Sequence, residues 1–223
     1  LYTIISVTIA SVFGLSTAAS GFVMAVLVAL GFEPLKNWLS KTTDSFLFKG
    51  EYKPQQLLEE LTSRVSSTLN IKNIFSGIIE LFDVAFHPSK QAILVAAADG
   101  KHFSLGEAEG FTSGDTIAVS FKKTHPIINF FKRHKEAVVF EEYDRRYADD
   151  PHGHADMKPF IRELSQHDLA LYVPLHKQDK LIGLLLLGQK KSGDVYTNQD
   201  IQTLDIASAH LAVAIENARY YEQ

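Results

Sequence analysis

The chain opens with a long apolar run that ends abruptly at charged residues. No charged side chain occurs in residues 4–32, and Glu33 and Lys36 follow at once. About 20 apolar residues suffice to cross roughly 30 Å of hydrocarbon, so the run predicts one transmembrane helix, centred on residues 12–30. A buried helix or a signal peptide is the alternative, but the run is longer than a signal-peptide core and no Ala-x-Ala cleavage pattern follows it. We assign residues 1–33 to a transmembrane segment.

Basic residues lie only on the C-terminal side of this segment. Lys36, Lys41, Lys49 and Lys53 follow it and nothing basic precedes it, so the positive-inside rule places the remainder of the chain in the cytoplasm, attached to the inner or cell membrane. Residues 34–53 then form a juxtamembrane linker. Its apolar side chains suit an interfacial segment, with Trp38 at headgroup depth, where tryptophan is enriched.

Helical periodicity begins after the linker. Pro54 is typical of the first position of a helix, and the apolar residues behind it recur at helical spacing: Leu57, Leu58, Leu61, Val65 and Leu69. Asn70 indicates a break, and a second helix is predicted over residues 71–86. Near the C-terminus, Thr197 or Asn198 serves as the N-cap, with Asp200 in the first turn, of a helix that runs toward Tyr221.

The middle of the chain changes to strand-like runs. Residues 92–97 and 101–105 flank Asp99-Gly100, a strong hairpin signal, and a glycine-rich loop is expected over residues 106–114. Helical spacing returns briefly near Ile127, and residues 137–140 predict a short strand. Two long apolar strands, 169–175 and 181–188, surround the polar turn 176–180. The pattern therefore predicts an α+β domain, residues 54–223, with a central antiparallel sheet flanked by helices.

The amino-acid composition excludes several kinds of chemical site and one class of partner. The chain has no cysteine, which excludes disulfides, thiolate zinc sites, cysteine nucleophiles and thioether-linked chromophores within it. The formal net charge of −4 arises from 22 basic and 26 acidic residues. This balance gives no electrostatic footprint for nucleic acid, so we expect no nucleic-acid partner.

Several local patterns resemble those of a known family. The segment from residue 170 onward reads ALYVPLHKQDKLIGLLLLG, then VYTNQD, then AIENARYYE. This succession of a strand ending in Pro-Leu, a hairpin, a Leu-Ile-Gly strand, a Tyr-Thr-x-x-Asp cap and an Ala-Ile-Glu-Asn helix resembles the C-terminal half of GAF domains. The upstream residues 32–75 resemble the linker that joins the last membrane helix to such a domain in bacterial membrane sensor histidine kinases. The linkers of that family are expected to carry aromatic and arginine residues near positions 45–50. This chain departs from that pattern, because it has Phe46, Phe48 and Lys49 there but no arginine.

The resemblance implies a regulatory module of a two-component signalling protein. It implies a sheet with helices on one face and a variable small-ligand pocket on the other, and an output domain in cis beyond Gln223. Within this chain no enzyme activity is then expected. The alternative is a structural dimerisation or transmission spacer that binds no ligand.

Candidate ligand-binding residues come from an aromatic-rich region, residues 121–147, because pockets for small ligands combine apolar walls with few polar groups. In domains of the resembled family the ligand lies between the sheet and this region. The candidates are Phe121, Phe130, Phe131, Tyr143 and Tyr172. The alternative is that each aromatic side chain is ordinary core. The ligand or cofactor itself stays unknown, since the spacing of the histidines selects none as a haem ligand.

The C-terminal helix predicts a partner of its own. Five residues fit the a and d positions of a short heptad repeat, which favours a parallel homodimer, although packing inside one chain explains the same pattern: Ile201, Leu204, Leu211, Ile215 and Ala218. Ala207, Ala214 and Ile206 are expected to face the sheet.

Two further patterns contain residue types that occur in metal and catalytic sites. His152, His154 and Asp156 place two imidazoles and a carboxylate within five residues, a possible metal site, but structural zinc normally takes four ligands and a solvated loop is the alternative. Ser165, His167 and Asp168 are neighbours in sequence without a Gly-x-Ser-x-Gly elbow. The glycines of residues 106–114 match no phosphate-binding motif, so we predict no catalytic residue.

Overall fold

The structure is a computed structural model that describes residues 52–97, 99–112, 120–150 and 157–221. These residues belong to one compact unit, Phe48–Gln223. The helices are α1 (Pro54–Ser66), α2 (Ile71–Phe86), α3 (Pro126–Phe131), α4 (Phe140–Asp149), α5 (Lys158–Leu164) and α6 (Asn198–Tyr221). The strands are β1 (Gln91–Ala96), β2 (His102–Glu109), β3 (Ser120–Lys122), β4 (Val138–Val139), β5 (Leu171–Lys177) and β6 (Lys180–Leu187).

The predicted membrane segment, residues 1–33, lies outside the described residues, as does all of the predicted linker up to residue 51. Among the helices that the structure does describe, none combines the length and apolar character needed to cross a bilayer. The transmembrane helix therefore stays a prediction from the sequence.

Helices α1 and α2 begin and end where their local chemistry places them. Pro54 occupies the start of α1, where a missing N–H costs nothing, and Leu57 and Leu61 are its buried residues. The Asn70 side chain accepts hydrogen bonds from the backbone N–H groups of Lys72 and Asn73, which caps α2 at the predicted residue. The α2 helix ends at His87 in the left-handed conformation (φ 45°).

The six strands form one antiparallel sheet in the order β3-β2-β1-β6-β5-β4. The predicted antiparallel sheet is confirmed, and the β1–β2 hairpin turns at Gly100, whose φ of +63° suits glycine. Strand β6 lies at the centre between β1 and β5. Pro174 of β5 lies beyond the two residues that pair with β4. At that point none of the described strands lies on that side of β5 to need its N–H.

Two expectations about the middle of the chain were wrong. Strand β2 extends through Gly106 to Glu109, so the first half of the expected glycine-rich loop is strand. Gly106 is needed there because a Cβ would come within 2.6 Å of the Phe75 ring of α2. The strand expected over residues 137–140 is reduced to Val138–Val139, and Phe140 already begins α4.

The sheet separates two hydrophobic cores. One, which we call the helical core, lies against α1, α2 and α6 and includes Ile93, Val95 and Leu185. The other, the aromatic core, lies against α3 and α5 and includes Leu94 and Leu184. Alternate residues of the same strands thus point into opposite cores, as the two-residue period of a strand requires.

Helix α6 contradicts the predicted dimer face. Leu204, Leu211, Ile215 and Ala218 are completely buried in the helical core, so they pack inside this chain and are not available to a partner. Ile201 is half-buried at the same side. Ala207 is buried as expected and Ala214 is half-buried, but Ile206, expected to face the sheet, is 50% exposed. Packing inside one chain, the alternative stated for the heptad pattern, therefore accounts for these residues.

Candidate functional site

A small enclosed cavity lies between the sheet and helix α3. Its volume is about 10 Å³, roughly the space for one water molecule. Apart from His167 and Tyr172, its lining is apolar: Leu94, Phe121, Ile127, Leu169, Leu184 and Leu186. In this conformation the cavity is much smaller than the roughly 300 Å³ at which ligand pockets begin.

The predicted ligand residues fall into the aromatic core, but in two groups. Phe131 and Tyr172 are stacked with ring centroids 6.4 Å apart, and Phe130 and Tyr143 are in edge contact at 6.1 Å. Phe130 joins these two pairs through its contact with Phe131 at 5.2 Å. The structure therefore brings four of the five candidates together. Only Phe121 and Tyr172 among the five line the cavity.

Phe160 of α5 completes this aromatic cluster and was missed by sequence reasoning. Its ring stacks on Phe130 at 3.7 Å with an interplanar angle of 10°, and it is 2% exposed. The only sequence signal was one apolar pair, Phe160-Ile161. Packing of α5 against α3 places Phe160 beside Phe130.

Phe121 lies with two histidines on the other side of the cavity. Its ring centroid is 4.4 Å from that of His125 and 5.9 Å from that of His167. His125 Nε2 lies 3.4 Å from the Glu163 carboxylate, while its buried Nδ1 finds no hydrogen-bond partner within the described residues. His167 lines the cavity, and His125 lies beside Phe121, which also lines it. The sequence did not single out these two histidines as a pair.

Burial controls the protonation of this region. It lowers the pKa of the His125 imidazole, against the opposing effect of Glu163. It also raises the pKa of the Tyr172 phenol, whose hydroxyl donates to the Leu164 carbonyl at 3.3 Å. Near neutral pH, both groups are therefore held in their neutral forms and can only offer hydrogen bonds, not charge.

Tyr143 is positioned at the rim of the cluster. Its hydroxyl lies 2.8 Å from His134 Nε2, and the Arg146 guanidinium is 5.2 Å from the centre of its ring. Arg145 and Arg146 are exposed and pair with Glu141 and Glu142 of their own helix, so they are solvated surface groups.

The remaining sequence candidates give no site that the structure describes. His152, His154 and Asp156 lie outside the described residues, and among those described no group of three or more His, Cys, Asp or Glu side chains could hold a metal ion. Ser165 Oγ donates to the Arg162 carbonyl, and Asp168 pairs with Lys90 at 3.0 Å.

On the opposite face of the sheet, ion pairs hold α6 near both of its ends. At its start, Asp200 accepts from the Thr197 N–H at 2.8 Å and pairs with Lys190 at 2.6 Å, while the Thr197 hydroxyl accepts from the Asp200 N–H. This capping box confirms the predicted N-cap. Near its end, Glu216 pairs with Lys177 and Lys180 of the β5–β6 hairpin.

The last turns of α6 also contact β1. The Arg219 guanidinium donates to the carbonyl of Ala96, the final residue of that strand. Helix α1 lies alongside α6 in the same direction, since Tyr52 lies near Asp200 and Thr203, whereas Ser66 and Leu69 share a groove with Val213 and Asn217. The first and last helices of the domain, α1 and α6, are therefore adjacent and parallel.

Comparison with known proteins agrees with this architecture. The sequence pattern of the family described as "GAF domain" matches residues 54–216, most of the chain. The chain belongs to the GAF domain family. The resemblance inferred from the strand, hairpin and cap motifs is therefore confirmed for the domain itself. GAF domains are sensory signalling modules.

Individual relatives of this GAF domain are distant. It is 23% identical over 171 residues to diguanylate cyclase A of Treponema denticola, an alignment that covers 75% of this chain and 44% of that protein. The chain thus spans less than half of that relative.

Three solved structures share the fold. The GAF domain of an Acinetobacter phosphoenolpyruvate-protein phosphotransferase has a TM-score of 0.56 at 14% identity, and the match covers 74% of this chain and 94% of that one. A methyl-accepting chemotaxis protein (residues 122 to 287) has a TM-score of 0.54 at 15% identity, covering 73% and 98%. The phycoerythrobilin-bound GAF domain of a cyanobacterial phytochrome has a TM-score of 0.55 at 13% identity, covering 78% and 100%.

Proposed function

We propose that this GAF domain is the sensory and regulatory module of a membrane signal-transduction protein and passes a signal to an output domain in cis. One observation carries the proposal: strands β1, β5 and β6 supply side chains to both cores. Leu94 lines the small cavity while its neighbours Ile93 and Val95 pack in the helical core that holds α6. Because both cores are close-packed, a change of volume in one displaces strands that the other shares.

The signal would be a small molecule that enters the aromatic core. Phe121, Phe130, Phe131, Tyr143 and Tyr172 supply aromatic surface, and His125 supplies a buried ring nitrogen that lacks a described partner. A ligand of ordinary size needs this region to open, because the cavity holds about 10 Å³. Opening would displace β3 or α3 from the sheet, and that displacement is the event to be relayed.

The small cavity also supports a second candidate function. A domain whose aromatic core is filled by its own side chains can act as a transmission spacer that binds no ligand. In that case α1 and α6 would carry the signal between them, through the contacts of the helical core alone. The two candidates differ in whether anything enters the aromatic core.

Native mass spectrometry of the chain purified from its own host separates these candidates. A retained small molecule that is lost on denaturation supports ligand sensing. The variant Phe121→Leu at the cavity should lose that molecule, whereas Phe86→Leu, an equally buried phenylalanine of the helical core, should keep it. If the unsubstituted chain and both variants show only the mass of the bare polypeptide under mild ionisation, the result supports the spacer.

The membrane context is part of the same proposal. The uncharged residues 4–32 would anchor the chain and the lysines that follow would keep the GAF domain in the cytoplasm. Extraction of host membranes with alkaline carbonate tests this, because an anchored chain stays in the pellet and a peripheral one is released. A version beginning at residue 48 should be released in either case.

For the output domain we propose a histidine kinase, which would make the whole protein a two-component sensor. The support is the likeness of residues 32–75 to kinase linkers. The relative from Treponema denticola, a diguanylate cyclase, motivates the competing output. Incubation of the whole protein with labelled ATP or GTP distinguishes them, since a kinase forms an acid-labile phosphohistidine and a cyclase forms a cyclic dinucleotide.

A further inference from the structure

Positive charge is concentrated where the edge strand β3 meets the β1–β2 hairpin and the end of α3, although the chain as a whole has a net charge of −4. We call this group of five residues the cationic patch: Lys101, Lys122, Lys123, Lys132 and Arg133. Four of them are exposed and Lys132 is half-buried. Within the part of the chain that the structure describes, none of the five pairs with a carboxylate.

Hydrogen bonds hold three segments of the cationic patch together. The Lys123 N–H donates to the Lys101 carbonyl at 2.9 Å, which joins the end of β3 to the hairpin. The Lys132 ammonium donates to the Lys123 carbonyl at 2.6 Å and to Asn129 Oδ1 at 3.2 Å. Burial, together with the nearby charge of Lys123, lowers the pKa of Lys132. The fold therefore keeps like charges close together, and an anionic partner would relieve their repulsion.

The carboxylates of this neighbourhood are directed at other groups. Asp99 pairs with His102 at 3.0 Å and also accepts the backbone N–H of Lys101 at 2.9 Å. Glu163 lies 3.4 Å from the ring of His125. The side-chain charges of the cationic patch thus remain available to a group from outside the described residues.

The cationic patch is joined directly to the cavity of the aromatic core. Phe121, which lines the cavity, lies in β3 immediately before Lys122, and Ile127 of α3 lines it as well. If β3 or α3 moves to admit a ligand, the lysines on these elements move with it. The position of the patch therefore depends on what the aromatic core contains.

The cationic patch also lies at a defined end of the domain. The hairpin that contains Lys101 follows β1, whose last carbonyl, that of Ala96, accepts from Arg219 in the last turns of α6. Tyr52, through which the chain reaches the domain, is instead near Asp200 at the start of α6. From Asp200 to Arg219 the helix is about 28 Å long at 1.5 Å per residue.

We propose that the cationic patch binds an acidic surface of the output domain that follows α6, a contact that rests on the proposed function. The patch lies beside the end of α6, where the chain continues to that domain, and not beside Tyr52, through which it continues to the predicted membrane segment. Five positive groups on three segments form a wide, open surface, which suits a protein face better than a single small anion. Opposite charge across such a face selects the partner and speeds docking.

This contact gives the domain a second connection to its output, separate from the helical core that holds α6. A ligand in the aromatic core would shift β3 or α3 and so change how the cationic patch meets the acidic surface. Because exposed charges are screened by salt, the contact should be sensitive to ionic strength.

Carbodiimide cross-linking of the whole protein tests the proposal, because this reagent joins a lysine to an adjacent carboxylate without a spacer. The protein is reconstituted in vesicles of phosphatidylcholine and phosphatidylserine. Lys101, Lys122 or Lys123 should become joined to Asp or Glu residues beyond Gln223. Lys53, which is exposed at the other end of α6, is the control and should form no such link. The yield should fall in about 1 M salt, where the screening length is about 3 Å.

Charge reversal provides the second measurement, with Lys101 as the reporter. The double variant Lys122→Glu/Lys123→Glu should lower the yield of links from Lys101 to residues beyond Gln223 about tenfold or more. The matched variant Lys122→Arg/Lys123→Arg keeps the charge and should keep the yield. Circular dichroism confirms that both variants are folded.

Three results overturn the contact: equal yields at Lys101 in the two double variants, equal yields at Lys53 and Lys101, or a yield that 1 M salt leaves unchanged. Adducts of the patch lysines with phosphatidylserine, in place of protein cross-links, overturn it in favour of the membrane surface. The mass of the whole protein shows separately whether a domain follows Gln223, and its absence overturns the proposed function. In a protein that has this domain, missing cross-links overturn the contact alone and leave ligand sensing in place.

Discussion

The ion pair between Asp200 and Lys190 should contribute far more to stability than an equally short pair on the surface. Both pairs have N–O distances of 2.6 Å, but the side chains of Asp200 and Lys190 are 5% and 15% exposed, whereas those of Asp179 and Lys135 are 94% and 54% exposed. Breaking a buried pair leaves an uncompensated charge, while exposed pairs are screened by water.

We expect Asp200→Ala to lower the free energy of unfolding by about 3 kcal/mol. The substitution removes the acceptor for the Thr197 N–H, worth about 1 kcal/mol at a helix start, and leaves Lys190 partly buried without its carboxylate. The value lies at the low end for buried pairs because the Lys190 ammonium also lies 5.2 Å from the Tyr196 ring and can still reach water. The thermal midpoint should fall by roughly 6 to 12 °C.

Urea unfolding of residues 48–223, followed by circular dichroism, measures these effects. Asp179→Ala is the control and should leave the unfolding midpoint nearly unchanged. Burial by itself raises the pKa of Asp200, but the hydrogen bonds from Lys190 and Thr197 outweigh it and hold the pKa below its usual value. The stabilisation is therefore complete above the ordinary carboxyl pKa of about 4, and is lost as the pH falls further. Equal losses for Asp200→Ala and Asp179→Ala at pH 7 would refute the reasoning.

Three other predictions concern packing and pH. Gly183→Ala should destabilise the domain strongly, because its Cβ would collide with the Leu94 carbonyl oxygen. Gly77→Ala within α2 would meet only the Arg64 side chain, at an ordinary contact distance of 3.9 Å, and should raise the free energy of unfolding by about 0.5 to 1 kcal/mol; urea unfolding compares the two. Phe160→Ala should cost about 3 to 5 kcal/mol by the same assay, and a loss below 1 kcal/mol would contradict the stacking with Phe130. In the folded state, burial lowers the pKa of four histidines: His87, His125, His134 and His176. Because the unfolded chain therefore takes up more protons as the pH falls, the thermal midpoint should be lower at pH 5 than at pH 7.5. An unchanged midpoint would contradict this prediction.

Local signals in the sequence were sufficient for much of the fold. Asn70 and Thr197 mark helix starts by side-chain chemistry that acts within four residues, and Asp99-Gly100 marks a hairpin for the same reason. Gly106 could not be placed in this way. A glycine in a loop and a glycine under a ring from another element look alike until Phe75 is brought onto it by the tertiary fold.

The periodicity of the sequence could not show which face of α6 packs against the sheet. Leu204, Leu211 and Ala218 recur every seven residues in the core, and so do Ile206, Val213 and Tyr220 at the surface. A straight helix drifts only about 20° per heptad from a perfect seven-residue repeat, so two or three heptads cannot show which set faces the sheet. The aromatic residues of the candidate site were visible in the sequence, but the closure of the cavity depends on how α3 and α5 pack.

The contact between Arg219 and the Ala96 carbonyl sets the rotational phase with which α6 leaves the domain. Each residue of an α-helix turns the chain by 100°, so anything joined to α6 by a continuous helix inherits an angle fixed by the end of β1. In a fusion to a reporter enzyme, inserting seven residues after Gln223 would nearly restore that angle, whereas inserting two would rotate the reporter by more than half a turn. The domain would then act as an angular reference for whatever follows it.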